Sequence, residues 1–280
     1  MTDYFQCGRY RYSFRSNNTK PLVMGILNVT PDSFSDGGHF LDLDSALTRA
    51  EQMIEDGVDI IDIGGESSRP GSVVLPLEEE LRRVMPVIFA LRDCGKPLSI
   101  DTYKPEVMIE ALLAGVDMIN DIKGFRSEES VAAVKGADAA LCVMHMQNQP
   151  VNMQQRPSYD DVSSEVIAFL RARAEALLAT GIARQSLCID PGFGFGKSLA
   201  HNITLFKDIA RLETELDLPV LVGVSRKTMI GELTGRPTER RLAGSLAAAL
   251  SAATLGAKII RVHDVAETVD ALKVWQATLA

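Results

Sequence analysis

Eight short apolar runs recur along the chain, and the segments between them carry apolar residues at helical spacing. The runs are residues 23–29, 59–65, 98–102, 117–121, 140–146, 187–192, 220–226 and 258–265. Helical spacing fills residues 43–56, 78–92, 105–114, 127–136, 160–180, 200–216, 239–255 and 265–279. Strands that alternate with helices form a parallel sheet, and such strands read as continuous apolar runs because both faces are buried. The pattern therefore predicts an α/β fold with a parallel sheet.

Chain length narrows the architecture further. The chain has 280 residues, which would suit two average domains or one (β/α)8 barrel of about 250 residues. No linker rich in Pro, Gly or Ser, no low-complexity tract and no block of like charge divides it. An open doubly wound sheet of eight strands is the alternative. We favour a single TIM-barrel domain over residues 1–280, with residues 1–20 as an N-terminal β-hairpin extension at the bottom of the barrel.

Composition excludes several classes of partner and site. The net charge of −8 and the pI of about 5.1 argue against a nucleic-acid partner, although a local basic pocket could still take an anionic small molecule. No apolar run approaches 18 residues and residues 1–14 lack the apolar core of a signal peptide, so we expect no membrane segment and a cytoplasmic protein. The four histidines lack metal-ligand spacing, which disfavours a structural zinc site. Four scattered cysteines are predicted to be buried free thiols of a reducing compartment: Cys7, Cys94, Cys142 and Cys188.

Polar or charged side chains follow the apolar runs at the point where each run ends. In chain order they are Asn28, Glu66, Asp101, Asn120, His145, Asp190, Lys227, and the pair Arg261 and His263. Any one of them could be a helix cap or a solvated loop residue. The carboxyl ends of the strands of a barrel meet at one face, where barrel enzymes hold their active sites. So many polar residues at these positions predict a polar pocket at that face.

Strand phase groups some of these side chains, because residues i and i+2 share a face. Arg261 and His263 should point together, and Ser225 should point with Lys227. An arginine and a histidine on one face suit phosphate oxygens. Two acids, an amide and a lysine nearby suit a neutral heterocycle, whose hydrogen-bonding edges need partners once they are desolvated.

His145 is the exception among the strand-end residues. It alternates with Met144 and Met146, so it points away from the lumen if the methionines face it. We therefore favour a packing role for His145.

Three loops that follow strands one, two and six are rich in glycine, and two of them also in proline or serine: residues 28–38, 64–71 and 190–197. The first two are either ordinary turns or lids that close over the pocket. The third lacks the spacing of a phosphate-binding P-loop. Its glycines alternate with phenylalanines, which would let the backbone approach a flat ligand on which a ring stacks.

At these residues the chain closely resembles the dihydropteroate synthase family, over about residues 22–274. The motifs that carry the resemblance are MGILNVTPDSFSDGG (24–38), DIGGESSRPG (62–71), SIDT (99–102), NDIKG (120–124), VMHMQ (143–147), IDPGFGFGK (189–197), GVSRKTMIG (223–231) and RVHDV (261–265). The resemblance implies a (β/α)8 transferase of folate biosynthesis. Such an enzyme condenses (7,8-dihydropterin-6-yl)methyl diphosphate with 4-aminobenzoate and yields pyrophosphate and 7,8-dihydropteroate.

The resemblance also implies residue roles. It assigns the pterin to Asp101, Asn120, Asp190 and Lys227, with pocket walls formed by Met144 and Phe195. It assigns the diphosphate to Asn28, Arg261 and His263, with Mg²⁺ as cofactor held through Asn28. It places Ser68, Arg69 and Ser225 around the aminobenzoate. The residues expected to act in catalysis are Asp101, Lys227, Arg261, His263 and Arg69. Homodimers and competing sulfonamide inhibitors are also typical of the family.

Two positions depart from the commonest family pattern. Ser68 stands where many members carry Thr, which keeps the hydroxyl and removes a methyl group. Asn148 stands where Gly often follows the His-Met-Gln run. We expect both to be tolerated.

The chemistry expected of such a site is an SN1-like departure of pyrophosphate followed by attack of the aminobenzoate amine, with water excluded by the lids. Three other functions stay open from the residues alone. They are a methyltransferase acting on methyltetrahydrofolate, a silent pterin- or sulfonamide-binding protein, and a Schiff-base aldolase that uses Lys227. The pair Arg261 and His263 and the first loop argue against the methyltransferase, and the catalytic type of every matched position argues against the silent binding protein. The adjacent Arg226 and the diphosphate site argue against the aldolase.

Overall fold

The computed structural model describes residues 4–14, 20–29, 39–67, 72, 74–148 and 157–279. Its strands are β1 (Tyr4–Cys7), β2 (Tyr10–Ser13), β3 (Leu22–Asn28), β4 (Ile60–Gly64), β5 (Leu98–Asp101), β6 (Met118–Asp121), β7 (Ala140–Met144), β8 (Leu187–Asp190), β9 (Leu221–Val222) and β10 (Ile259–Val262). Its α-helices are α1 (His39–Glu55), α2 (Leu77–Leu91), α3 (Pro105–Leu113), α4 (Glu128–Val134), α5 (Val162–Ala179), α6 (Leu199–Lys207), α7 (Ile209–Leu216), α8 (Thr228–Thr234), α9 (Leu242–Thr254) and α10 (Val265–Leu279). Short 3₁₀ turns occupy Arg184–Ser186 and Thr238–Arg240.

The larger sheet closes on itself. Its eight parallel strands are hydrogen-bonded in the order β8-β7-β6-β5-β4-β3-β10-β9. A parallel bridge between Ile189 and Val220 joins the two ends, and the Ile189 amide donates to the Pro219 carbonyl at 3.0 Å. The predicted (β/α)8 barrel is confirmed, and the open doubly wound sheet is excluded.

The helical layer departs from the sequence prediction after β8. The helix expected over 200–216 is two helices, α6 and α7, which meet at Asp208, whose backbone leaves helical geometry (ψ +14°). Helix α8 falls inside a segment that the apolar pattern left unassigned, because only seven residues lie between Lys227 and Gly235. Such a short helix offers too few residues for a periodicity to show.

The N-terminal hairpin β1–β2 seals the bottom of the barrel, as predicted. Phe5 and Cys7 are fully buried and pack into a lumen cluster with residues from most of the barrel strands: Leu22, Met24, Ile60, Met118, Ala140, Cys142, Cys188, Leu221 and Ile259. At the turn, the Arg9 Nε donates to Asp117 Oδ1 at 3.0 Å. Gly8 takes φ +52°, and a Cβ atom there would lie 2.6 Å from Asp117 Oδ1. The turn therefore needs glycine to approach this aspartate.

A second, larger core fills the space between the sheet and the helices. No helix of the described chain is long and apolar enough to cross a lipid bilayer. All four cysteines are free. Cys7, Cys142 and Cys188 are buried as predicted, whereas Cys94 is only half-buried at the end of α2.

Candidate active site

Strand phase brings a polar layer together above the lumen cluster. Ile60, Met118, Cys188 and Ile259 belong to that cluster, and two residues further along each strand lie Asp62, Asn120, Asp190 and Arg261. Side chains at i and i+2 share a face, so these four point into the same lumen one layer higher. The layer sits at the carboxyl end of the strands, where barrel enzymes hold their active sites.

Arg261 is the centre of this layer. Its Nε donates to Asp62 Oδ2 at 2.6 Å, and its Nη2 donates to Asp101 Oδ2 at 2.7 Å. Asn120 Nδ2 also donates to Asp62 Oδ2, at 3.2 Å. Asp62 is fully buried, and its second oxygen, Oδ1, has no hydrogen-bond partner in the described chain. One guanidinium thus links strands β4, β5 and β10 across the mouth.

One cation between two buried carboxylates makes the layer sensitive to proton uptake. Burial raises the pKa of Asp101 to about 7; Arg261 opposes this rise and Asp62 adds to it. Burial by itself lowers the pKa of Arg261, yet Asp62 and Asp101 outweigh it, so that pKa lies above its ordinary value. Arg261 is therefore charged at any physiological pH, while Asp101 can exchange a proton near neutrality.

Lys227 and Asp190 form the other side of the mouth. Lys227 Nζ donates to the Phe193 carbonyl at 2.6 Å and lies 4.6 Å from the centre of the Phe195 ring. Burial lowers the pKa of Lys227 to about 8 against the opposing charge of Asp190. Asp190 is buried and its Oδ1 accepts from the Gly192 amide at 2.7 Å. Burial raises the pKa of Asp190, and Lys227 opposes that rise.

An apolar wall faces these charges. Met144 and Phe195, both predicted as pocket walls, are buried in one cluster with Ile122, Met146 and the ring of Tyr103. An apolar surface beside buried hydrogen-bonding groups is the environment that holds a flat heterocycle.

The side chain of His145 packs outside the lumen, which confirms its predicted packing role. Its ring meets the Phe169 ring edge-on, with centroids 5.0 Å apart, and its Nδ1 lies 2.9 Å from Lys197 Nζ.

Ser225 and His263 contact each other at the end of β10. His263 Nδ1 lies 3.1 Å from Ser225 Oγ, and the His263 amide donates to the same oxygen at 3.2 Å. Ser225, Lys227 and His263 lie beyond the ends of their strands, since β9 ends at Val222 and β10 at Val262, so strand alternation does not fix their directions. Arg226 adopts φ +57°, so Ser225 and Lys227 on either side of it reach different partners. Likewise Arg261 and His263 make their hydrogen bonds to different groups.

Asn28 ends β3, and its side chain lies beside Gly64, which stands between Asn28 and Asp101 in the sheet. A Cβ atom at Gly64 would lie 3.7 Å from Asn28 Oδ1 and 3.8 Å from the Asp101 Cβ. Ser68 and Arg69, the residues expected at the aminobenzoate, lie outside the described residues. Asn148 adopts φ +64°, in the left-handed region that asparagine tolerates better than most residues. The Gly-to-Asn departure at this position is therefore accommodated by the backbone.

Sequence reasoning missed Asp62. The residue opens the motif DIGGESSRPG (62–71), in which the strand-end pattern singles out only Glu66. The signal was available, because an aspartate in the middle of an apolar strand is almost never fully buried unless it is paired.

Glu66 has a different environment from the one its position suggests. Lys104 Nζ bridges Glu66 and Glu80, and the Tyr103 hydroxyl donates to Glu66 at 2.7 Å. Thr102 donates to Glu80 at 2.7 Å. This network joins the base of the second loop to the segment that follows Asp101.

Comparison with known proteins gives the same picture. The model of the pterin binding enzyme family matches residues 24–263. Dihydropteroate synthase from Neisseria meningitidis serogroup C is 49% identical over 277 residues, which cover 98% of this chain and 96% of the relative. The structure of Xanthomonas albilineans dihydropteroate synthase with 4-aminobenzoic acid has a TM-score of 0.91 and 49% identity, and the match covers 100% of this chain and 99% of that one. Burkholderia cenocepacia dihydropteroate synthase, complexed with 7,8-dihydropteroate, has a TM-score of 0.88 and 49% identity over 99% of this chain and 96% of that one. The chain therefore belongs to the pterin-binding enzyme family, among its dihydropteroate synthases.

Proposed function

We propose that the mouth of this barrel condenses (7,8-dihydropterin-6-yl)methyl diphosphate with 4-aminobenzoate by an SN1-like path. The observation that carries the proposal is the buried Arg261, which spans Asp62 and Asp101 beside Asp190 and Lys227. Fixed charges of both signs in one desolvated lumen can stabilise an anion that departs and a heterocycle that becomes cationic.

The pterin is expected to bind in the polar layer. Its ring donors would face the carboxylates of Asp101 and Asp190, and its acceptors would face the side-chain amide of Asn120 and the ammonium of Lys227. Each donor or acceptor buried without a partner costs about 1–3 kcal/mol, so this set selects a ring with complementary edges. The apolar wall at Met144 and Phe195 would cover the ring faces.

The reaction breaks the bond between the methylene carbon and the diphosphate oxygen, and the electron pair leaves with pyrophosphate. Carboxylates at Asp101 and Asp190 favour the positive charge that develops on the pterin. Arg261 and His263 favour the negative charge that develops on the leaving group. The aminobenzoate nitrogen then forms the new bond to carbon and loses its proton late. Ser68, Arg69 and Ser225 are proposed to hold the aminobenzoate, and Arg69 to act in catalysis.

Magnesium is proposed to enter with the diphosphate. Mg²⁺ takes oxygen ligands and is commonly held by one or two protein oxygens together with substrate phosphates. The Asn28 side-chain oxygen, beside Gly64 at the mouth of the barrel, fits the role of such a single protein ligand. Within the described ranges, no group of three His, Cys, Asp or Glu side chains could hold a metal ion unaided. When bound, the cation would supply positive charge against the developing pyrophosphate.

Three further proposals rest on the family resemblance. We expect a homodimer located in the cytoplasm. We also expect sulfonamides to compete with 4-aminobenzoate at its subsite.

The direct test is pyrophosphate release from the dihydropterin diphosphate, with and without 4-aminobenzoate. We expect stoichiometric release and 7,8-dihydropteroate formation when both substrates are present. Scrambling of an ¹⁸O label within the diphosphate would support the SN1-like path. Clean inversion at an isotopically chiral methylene, without scrambling, would contradict it.

Asp190→Ala is expected to weaken pterin binding by about tenfold or more, because hydrogen bonds to a charged group are worth about 1.5–3 kcal/mol each. The exposed Asp138→Ala is the matched control and should bind as the wild type does. Calorimetry that gave equal pterin affinity for the two variants would remove Asp190 from the pterin subsite.

A further inference from the structure

Lys197 is an interior lysine at the end of the glycine-rich segment that follows β8. Its side chain is only 3% exposed. Its ammonium group lies 2.9 Å from His145 Nδ1, 2.9 Å from the Gly192 carbonyl and 3.1 Å from the Phe195 carbonyl. Burial lowers the pKa of Lys197 to about 7, and in its charged form the group has three N–H donors and no acceptor. These three uncharged acceptors, with the His145 carbonyl more distant at 3.5 Å, match its hydrogen-bonding capacity inside the protein.

The environment of His145 suits it to accept a hydrogen bond from Lys197. Burial, then the charges of Lys197 and Arg126, lower the pKa of His145 to about 2. The imidazole is therefore neutral, and with Lys197 as donor its Nδ1 is the acceptor. The T-shaped contact with the Phe169 ring fixes the plane of the imidazole. A neutral, oriented histidine outside the lumen thus anchors a lysine that comes from the next strand–helix connection.

The atoms that Lys197 holds are the immediate neighbours of the pterin subsite. Its two carbonyl acceptors flank Phe193, whose own carbonyl accepts from Lys227 Nζ at 2.6 Å. Lys197 also binds the Phe195 carbonyl, and the centre of the Phe195 ring lies 4.6 Å from Lys227 Nζ. The Gly192 amide donates to Asp190 Oδ1 at 2.7 Å.

Close backbone packing places the segment against the residues that follow β7. A Cβ atom at Gly192 would lie 1.9 Å from the His145 carbonyl, and one at Gly196 would lie 2.7 Å from the Gln147 carbonyl. The segment therefore lies directly on the residues after β7. Its Gly194 amide donates to Asn202 Oδ1 at 2.8 Å, and its Gly196 carbonyl accepts from the Tyr159 hydroxyl at 2.8 Å. Lys197 adds the hydrogen bonds to the Gly192 and Phe195 carbonyls, which lie nearest the pterin subsite.

We infer that Lys197, anchored on neutral His145, is a positioning residue that sets the Asp190–Phe195 segment, and through it Lys227, in the geometry that binds the pterin. The inference rests on the proposed function. Lys197 acts through the segment and is not proposed to touch substrate.

The test separates pterin binding from the rest of the reaction. Lys197→Met keeps an unbranched side chain as far as Cε and removes the ammonium, and the exposed Lys207→Met on α6 is the matched control. Calorimetry with 6-hydroxymethyl-7,8-dihydropterin gives the pterin Kd, and pyrophosphate release gives kcat and the KM for 4-aminobenzoate. We expect Lys197→Met to raise the pterin Kd by about tenfold or more, with the KM for 4-aminobenzoate changed less than threefold. Lys207→Met should leave all three at wild-type values.

A second pair of variants covers the case in which Lys197→Met does not fold. His145→Gln retains an acceptor for Lys197, whereas His145→Leu removes it. We expect the glutamine variant to keep the pterin Kd within about threefold of wild type and the leucine variant to weaken it by about tenfold.

Equal pterin Kd values for wild type and Lys197→Met, or equal losses in the two His145 variants, would overturn the positioning role. Equal weakening of pterin and aminobenzoate binding would also overturn it, because that pattern indicates general disorder of the mouth. Failure of the wild-type protein to release pyrophosphate, with pterin binding intact, would count against the proposed function and not against this role.

Discussion

The two ends of the barrel lumen differ in polarity. At the bottom, Phe5, Cys7, Met24 and Met118 are fully buried and apolar, and the Arg9–Asp117 ion pair lies at the rim with Arg9 half exposed. At the mouth, a largely buried arginine, Arg261, whose side chain is 17% exposed, joins two carboxylates in the lumen itself.

The difference shows that one end of the barrel lumen contributes mainly to stability and the other mainly to activity. Apolar burial at the bottom yields stabilisation of about 25 cal/mol per Å² without any need for partners. Buried charges at the mouth are no better than apolar residues for stability, since their desolvation offsets much of their attraction. They are useful because a preorganised charge in a dry site can stabilise charges that develop on a substrate. Substitutions at the two ends should therefore separate activity from stability.

The largest expected effect is that of Arg261→Leu at the mouth. Turnover should fall by about 10³-fold, because preorganised stabilisation of the leaving group is lost. Asp62 and Asp101 would also remain buried without their cation, so the free energy of unfolding should fall by about 3–5 kcal/mol at pH 8. Arg9→Leu at the bottom is the matched control. It removes a half-exposed cation from the buried Asp117, which keeps its hydrogen bonds from the Arg9 and Leu98 amides. The loss of stability should therefore be smaller than at the mouth, and turnover should not change. Equal effects of the two substitutions would erase the distinction between the ends.

Phe5→Ala is the converse substitution. Removal of this fully buried ring should lower the free energy of unfolding by about 3–5 kcal/mol, while kcat/KM of the protein that remains folded stays near wild type. Urea unfolding and pyrophosphate release measured on one preparation give both quantities. A loss of kcat/KM larger than about tenfold would mean that the hairpin plug supports the chemistry as well as the fold.

The same contrast explains what the sequence could predict. The eight apolar runs predicted the barrel, and the alternation in residues 4–14 predicted the hairpin. Both predictions succeed because strand residues that are buried produce a regular apolar pattern in the sequence. Polar residues at strand ends predicted Asp101, Asn120 and Asp190 at the mouth for the same reason.

The pairing of these side chains left no such pattern. Asp62 was passed over, and the partners of Ser225 and Lys227 could not be read from alternation once Arg226 adopted a left-handed backbone. The pairing of charges across a barrel depends on strand order and tilt. The local periodicity of the sequence carries no information about it. The lone Lys197 after three glycines became meaningful only when the structure placed it against His145.

A smaller effect at the mouth is a dependence of stability on pH. The pKa of Asp101 is about 7 in the folded protein, raised chiefly by burial, and about 3.9 in an unfolded chain. The folded state therefore binds more protons between these values, and the contribution of Asp101 to stability, complete below about pH 4, is lost as the pH rises through 7.

Urea unfolding of wild type and Asp101→Asn at pH 5 and pH 8 measures the contribution of Asp101 to the free energy of unfolding. The wild type should lose more stability than the variant between the two pH values. Parallel behaviour of the two proteins would mean that Asp101 stays ionised throughout. The ionised form is the one expected to favour a cationic pterin, so turnover should rise over the pH range in which stability falls.

The smallest effect tests the seal at the bottom. Burial raises the pKa of the Cys7 thiol, a hydrogen bond with Cys188 and burial raise that of Cys142, and Cys188 is equally enclosed. Cys94 alone among the four is partly exposed. Native protein should therefore react with about one equivalent of an aromatic disulfide reagent, because the thiolate is the nucleophile and access is needed to form it. Cys94→Ser should abolish that reaction and change stability by no more than about 0.5 kcal/mol. In the Phe5→Ala background the three lumen thiols should become reactive, since opening the plug would admit reagent to all of them together. If the three lumen thiols react as fast in the wild type as in Phe5→Ala, the bottom of the lumen is open in solution. That result would contradict the contrast between a sealed bottom and a functional mouth.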